Sequence, residues 1–589
     1  MFKRGTKTTE SSTTGTAALP VGDERMRGLN RRALLGLAAA GGVGAALSAG
    51  DPGAAAAAAR GAARGAGVMG TAPGAPAPAG TTAVSLVPFP QQDDLNFQTL
   101  FNYGEIAYRS GEAGEISVAV AAVQAAITAA GTTAIPAYQP YNATFEALAA
   151  NTKADADAEL AAGRLTTARD RYLRAAAYYN SVMYFITGGD TPGREGEVYG
   201  LMQACWASAA ALLEPVFERV EIPAIVRFPD RAGIVTTRSV ILPAYWSRAA
   251  GEGRPTVIVN NGSDAQLIDT YAFGGAAGVD RGYNVLMFEG PGQGSLLFEQ
   301  DIPFTPYWQD VVTPLVDFIV AQPGIDASRI ALTGWSFGGA LVMRAAAHEP
   351  RLAAVVADPA FYDVGAEFDE LKNAVIGAFG SFSNENWAEL YSYSDVYGPM
   401  GQLALNFLVN KRGEIFSSEI HQLALTKTFN TDIVGMLDLI ATYDVTEEQF
   451  AAITANALLV RYATDQFAPD DPSEQVAAWL TKAASVERLV LTPEQGADQH
   501  CAPAAPQVRN EAVFAWLDRV LAVVPGPRPV PVPVVPPAPP APPVGPAGGG
   551  ELAATGASAS AAPVAAIATG LATAGAGAAA LASRLSRKA

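Results

Sequence analysis

The chain has 589 residues, 49 % of them hydrophobic and only 16 % charged, with a formal net charge of −18. That acidity argues against a nucleic-acid partner, because holding phosphates needs clustered Lys and Arg. Two cysteines, Cys205 and Cys501, and three histidines, His348, His421 and His500, form no group with zinc-ligand spacing, so no metal site is expected.

In chain order, Asn30-Arg31-Arg32 comes first, directly before an uncharged run over 33–49 rich in Gly and Ala. A twin arginine ahead of an apolar segment resembles a Tat export signal, whose translocase carries folded substrates. The run is short for a membrane span, which needs about 20 apolar residues, so a membrane tether is the alternative. Ala and Gly continue to about Gly80, a composition that cannot bury a core, and 1–81 is set apart as signal and disordered segment.

Residues 82–220 read as a helical domain. Over 165–185, apolar and aromatic residues recur every three or four positions through Tyr172, Leu173, Ala176, Tyr179 and Met183. A helical module ahead of a catalytic domain is placed to cap an active site. Tyr178 and Tyr179 are its substrate-pocket candidates; being adjacent, they point about 100° apart on a helix, so at most one faces a pocket.

Residues 221–524 change pattern. Entry strands are expected within 226–243. Short β-branched runs at 256–260, 284–288, 329–333, 352–357, 457–462 and 486–491 then alternate with helical stretches. Continuous apolar strands joined by helices predict a mostly parallel sheet covered on both faces, an α/β class. Between 360 and 445 the alternation stops, and a helical insertion after the sixth strand is expected to act as a lid.

The chemistry sits at the strand ends. Gly334-Trp335-Ser336-Phe337-Gly338, followed by Gly339, joins a strand to a helix. This is the nucleophile-elbow pattern, a turn so tight that its flanking positions must be glycine, with Ser336 exposed as the nucleophile. The fold orders its triad Ser, acid, His, and only His500 follows the last strand, so it is the expected base. His348, in the helix after the elbow, and His421, in the insertion, are surface or lid candidates. Asp465 follows the strand 457–462 and is the expected acid, holding the imidazole tautomer. Its rivals are Asp470 and Asp471, better placed in a turn and helix cap, and Asp358, after the sixth strand. Oxyanion donors are expected from the backbone of Phe337 and from the loop Asn261-Gly262-Ser263-Asp264, with Ser263 favoured over Gly262 and Asp264. Asp264 is also a pocket candidate. Glu289-Gly290-Pro291-Gly292-Gln293-Gly294 lacks the Lys-Ser/Thr ending of a phosphate loop and reads as a compact turn.

At the far end, a Pro/Val/Ala stretch makes 525–550 a stiff spacer. Leu552-Ala553-Ala554-Thr555-Gly556 follows, then an Ala/Gly segment, then Arg584, Arg587 and Lys588. In this order, 551–589 resembles a sortase sorting signal of the Leu-Ala-x-Thr-Gly variety found in high-GC Gram-positive bacteria. The resemblance implies cleavage between Thr555 and Gly556, attachment to peptidoglycan and display at the cell wall, with a secreted or membrane-tethered form as the alternative.

Arg169, Arg174, Ala175, Tyr178, Tyr179, the 261–264 loop, Arg281-Gly282-Tyr283, Gly290-Pro291-Gly292-Gln293-Gly294, the elbow and 496–501 together resemble one family. It comprises α/β-hydrolases with an N-terminal helical cap, including fungal polyketide chain-shortening hydrolases and bacterial pseudooxynicotine-type hydrolases, often named dipeptidyl aminopeptidase or acylaminoacyl peptidase. The resemblance spans about 93–521. It implies an α/β-hydrolase fold, no cofactor, a small-molecule substrate, and in some members cleavage of carbon–carbon bonds beside ketones. The family's aspartate before Gly-Pro-Gly-Gln-Gly is Glu289 here, and Asn261 and Ser263 stand where Gly and an aromatic residue are common. Three functions follow: an esterase or C–C hydrolase, a short-peptide peptidase, and an inactive hydrolase fold serving as a surface binding protein.

Overall fold

The computed structural model describes residues 86–522, apart from 91, 131–136, 232, 394–398 and 469. The twin arginine, the proline spacer and the Thr555–Gly556 motif lie outside the described residues.

The described residues open with five α-helices: α1 (Asp93–Glu105), α2 (Ala113–Ala129), α3 (Tyr138–Ala161), α4 (Leu165–Phe185) and α5 (Glu195–Ala210). The five periodic residues of α4, from Tyr172 to Met183, are all buried. Three-to-four-residue spacing puts them on the face that packs against the neighbouring helices. The helical reading to 220 runs slightly long, because β1 starts at Glu218. The first four residues of that strand carry no alternation, being exposed or half-exposed on both sides, so no strand signal marks them.

Eight strands form one sheet: β1 (Glu218–Pro229), β2 (Val235–Ser247), β3 (Thr256–Asn260), β4 (Asn284–Phe288), β5 (Ile330–Trp335), β6 (Ala354–Asp358), β7 (Asn456–Tyr462) and β8 (Val486–Leu491). Their spatial order is β1-β2-β4-β3-β5-β6-β7-β8. β1 pairs antiparallel with β2 and β2 with β4, and every other pairing is parallel. β3 to β6 are buried throughout, as strands covered on both faces must be. β8 keeps charged Glu487 and Arg488 exposed at the sheet edge, which blunts it against pairing with another chain.

Alternate residues divide the core in two. Val257, Val259, Val285, Met287 and Val356 face the five-helix module. Ile258, Leu286, Phe288, Leu332 and Val355 face the other way, toward α6 (Gly338–Ala346) and the insertion. Among the described residues the insertion is helical throughout: α7 (Asp369–Phe379), α8 (Asn384–Tyr393), α9 (Pro399–Gly413), α10 (Ser418–Thr426), α11 (Ile433–Ala441) and α12 (Glu447–Ala452). It runs past the expected end at 445 because Thr446 opens one more helix with a reciprocal cap to Gln449.

The last of the described helices, α13 (Pro506–Val520), returns to the module. Asn510 Nδ2 donates to Tyr108 Oη at 2.8 Å. Gly104, in α1, lies so close to the turn before α13 that a Cβ there would sit 2.0 Å from the Pro503 carbonyl oxygen. The first and last helical segments therefore share one interface.

Candidate active site

β5 ends and α6 begins around Ser336, whose φ is +58°. Non-glycine residues seldom adopt that left-handed conformation. The turn is held by Ser336 N–H donating to the Asp358 carbonyl at 2.7 Å. A Cβ would meet the Gly338 carbonyl at 2.2 Å from Gly334, the Asn261 carbonyl at 2.6 Å from Gly338, and the Pro359 carbonyl at 2.2 Å from Gly339. Rigid backbone thus closes in on three sides, and the glycines are required for Ser336 to stand at the carboxyl edge of the sheet.

The loops after β7 and β8 bring two further residues to it. Ser336 Oγ lies 3.0 Å from His500 Nε2. His500 Nδ1 lies 2.9 and 3.0 Å from the Asp465 oxygens. His500 and Asp465 are both buried. Burial disfavours charge on either group, yet each outweighs it for the other: Asp465 pushes the imidazole well above its usual range, while His500 and the N–H groups of Phe467 and Ala468 hold the carboxylate below its own.

The rivals have other employment. Asp358 is buried against Arg509, at 2.5 Å, and accepts from Tyr462 Oη. Asp471 accepts from Ser473 N–H at 3.0 Å and pairs with Arg488 at 2.7 Å. Asp470 lies on the cavity wall. His348 is exposed. His421 is buried between Glu195 of α5 and Asp301, 2.8 Å from each.

The 261–264 loop approaches Ser336 from the β3 side. A Cβ on Gly262 would lie 2.7 Å from Ser336 Cβ, so glycine is needed for that approach. Gly262 N–H is already taken by Asn261 Oδ1 at 2.8 Å. Phe337 N–H and Ser263 N–H have no partner among the described residues, and both residues line the cavity, which leaves both groups free to donate. Gln293 Nε2 fastens this loop by donating to the carbonyls of Asn261 and Gly262, at 3.1 and 2.9 Å. Sequence reasoning took the 289–294 segment as a turn and missed that role. Glu289 in the same turn is buried and accepts from Tyr199 Oη of α5 at 2.7 and 2.9 Å.

A cavity of about 490 Å³ opens above Ser336 and His500. Phe97 and Phe101 of α1 and Asn180, Ser181 and Tyr184 of α4 contribute from the module. Glu367, Arg412 and Phe416 contribute from the insertion, and Asp264 from the β3 loop. Tyr178 and Tyr179 do not line it, which corrects the expectation for that pair. Relative to the face carrying 180, 181 and 184, they lie roughly 110–150° around the helix. Tyr178 Oη donates to Glu115 at 2.8 Å and accepts from Glu112 N–H, while Tyr179 packs in the module's core. Among the described residues no group of His, Cys, Asp and Glu is arranged to hold a metal ion, and no helix is long and apolar enough to cross a membrane.

Residues 279–411 match the sequence pattern of the Prolyl oligopeptidase family. Among curated proteins, the chain is 36 % identical over 218 residues to "Hydrolase ORFZ" of Pyricularia oryzae, covering 35 % of this chain and 49 % of that one. It is 34 % identical over 229 residues to "Alpha/beta hydrolase ucsC" of Acremonium sp., covering 37 % and 46 %. The chain thus spans about half the length of these relatives. Among solved structures, 2,6-dihydroxy-pseudo-oxynicotine hydrolase matches 65 % of this chain and 90 % of its own, with 19 % identity and a TM-score of 0.45. With its strand order, its elbow at the end of β5 and its sequence likeness to these hydrolases, the chain has the α/β-hydrolase fold.

Proposed function

We propose that this protein is a serine hydrolase that cleaves an ester or an activated ketone in a small to medium organic substrate through an acyl-enzyme. The observation that carries the reading is the unbroken series Ser336 Oγ, His500 and Asp465, at 3.0 and 2.9 Å, on the floor of a partly open cavity. Ser336 Oγ attacks the substrate carbonyl carbon while His500 Nε2 takes its proton. The N–H groups of Phe337 and Ser263 receive the oxyanion. When the carbonyl re-forms, the bond to the alkoxide or carbanion leaving group breaks, and His500 returns the proton to it. Water, deprotonated by His500, then releases the acid and regenerates Ser336. Asp465 keeps its charge throughout and stabilises the imidazolium.

The cavity supports a compact substrate, since aromatic side chains from the module and the insertion line it. The family match over 279–411 favours a second reading, a peptidase acting on short peptides. A screen of the purified protein against acyl esters, β-diketones and peptide anilides separates the two, with Ser336→Ala as the blank. Activity on anilides alone sinks the first reading, and no turnover or fluorophosphonate labelling at all leaves the inactive binding protein. The twin arginine and the Leu552-to-Gly556 motif support export and covalent attachment to peptidoglycan through Thr555. These signals also name the two transient partners, the Tat translocase and a sortase.

A further inference from the structure

Arg412 is the one Lys or Arg among the described residues that line the cavity, and no sequence motif singles it out. It comes from the last turn of α9, in the insertion, far along the chain from every residue of the triad. Its side chain is 10 % exposed, and its Nη1 donates to Asp264 Oδ2 at 2.7 Å. That same carboxylate oxygen accepts from Ser263 Oγ at 2.8 Å. Nη2 donates to Tyr184 Oη of α4 at 3.3 Å, and Nε lies 3.7 Å from Glu367. The guanidinium carbon lies 4.7 Å from the centre of the Phe467 ring. Phe467 in turn meets the His500 ring edge-to-face at 4.8 Å, and its N–H donates to Asp465 Oδ1 at 2.9 Å.

From these contacts we infer that Arg412 is a positioning residue, a clamp that sets the oxyanion loop through Asp264 and the His500–Asp465 pair through Phe467. One planar cation meets both halves of the machinery: its edge is hydrogen-bonded to the carboxylate beside Ser263, and its face is laid on the ring beside His500. A guanidinium can do both at once, whereas an ammonium is a point charge without a stacking plane. Because Arg412 is carried by the insertion and also touches α4, the catalytic groups reach working geometry only when insertion and module are both seated. The reacting atoms tolerate little error, since displacement by about 1 Å can cost on the order of 10²-fold in rate.

The inference rests on the serine-hydrolase reading, and its test keeps the two apart. Fluorophosphonate labelling of the full-length protein is compared with that of Ser336→Ala, Arg412→Ala and Arg412→Lys, beside steady-state turnover and thermal unfolding. Labelling present in the wild type and absent from Ser336→Ala secures the reading; its absence from the wild type removes reading and clamp together. Given that labelling, Arg412→Ala is expected to lower both the labelling rate and kcat by about 10- to 100-fold with KM changed far less, the signature of an interaction needed in the transition state. Methylguanidinium added to Arg412→Ala should restore part of kcat. Arg412→Lys keeps the charge, loses the stack and should fall in between. A folded Arg412→Ala with wild-type kcat overturns the clamp, as does a loss that appears only in KM. If Arg412→Ala does not fold, Arg412→Lys decides, and unchanged kcat there overturns it equally.

Discussion

At the residue scale, the proposed mechanism requires His500 to lose its proton before it can take one from Ser336, and its surroundings delay that loss. Burial alone would make the ring release its proton early, but the Asp465 carboxylate outweighs burial and holds it on. The rate limb governed by the base should therefore climb at a pH above the ordinary histidine range of about 6.5. A pH profile of kcat/KM checks this, and a limb at or below 6.5 contradicts it. Asp465→Asn should move the limb downward and cost roughly 10⁴-fold in kcat, through the wrong tautomer. Asp358→Asn is the contrasting change. It leaves His500 alone but strands Arg509 in the core, which is 2 % exposed at the side chain. Breaking such a buried pair costs about 3–5 kcal/mol, so unfolding should come earlier while kcat in the folded fraction stays near wild type. Reversed results would assign the acid to the end of β6. Ser336, Asp465 and His500 were legible because local turn chemistry and the fold's chain order point to them. Arg412 and Gln293 were not, since their partners are defined only once distant segments meet. The tyrosine pair was misassigned because periodicity shows which residues a helix buries, not which neighbour buries them.

At the scale of elements, the insertion and the module meet through a buried charged group. His421 of α10 lies between Glu195 of α5 and Asp301, and Lys411 and Glu414 pair beside them at 2.6 Å. Burial works against charge on the imidazole, but Glu195, Glu414 and Asp301 together raise its pKa to about 9. Relative to an unfolded value of 6.5, the raised pKa contributes stability that is fully present below pH 6.5 and is lost as pH rises through 9. Glu414, raised to about 7 chiefly by burial, acts in the same direction. Melting temperature should fall between pH 6 and pH 10, and His421→Gln should flatten that dependence; an unchanged slope in the variant would show that the cluster does not couple to stability. The module itself is expected to be indispensable. A chain beginning at Phe217 exposes the sheet face that α4 and α5 cover and leaves Glu289 without Tyr199. It should be insoluble or inactive, and full activity in soluble form would make the module an independent domain. Helices and strands were readable here from their periods. The start of β1 and the extent of the insertion were not, because exposed strand ends and capped helix starts carry no apolar repeat.

At the scale of the whole molecule, Thr555→Ala should shift the enzyme from the wall fraction to membrane or medium with activity intact; equal wall retention would reduce the C-terminal segment to a tail. The interface between α1 and α13 has a consequence for synthesis. Tyr108 is bonded by Asn510, 402 positions further along the chain, so a segment made early is completed by one made much later. Until α13 has been made, the nascent module lacks its partner in this interface, and its apolar faces stay open. Such a chain is expected to fold as one unit once α13 has emerged, rather than in instalments. Threading it across a membrane as it is made would strand the module on the far side of its partners. The proposed Tat route, which carries folded substrates, would avoid that separation.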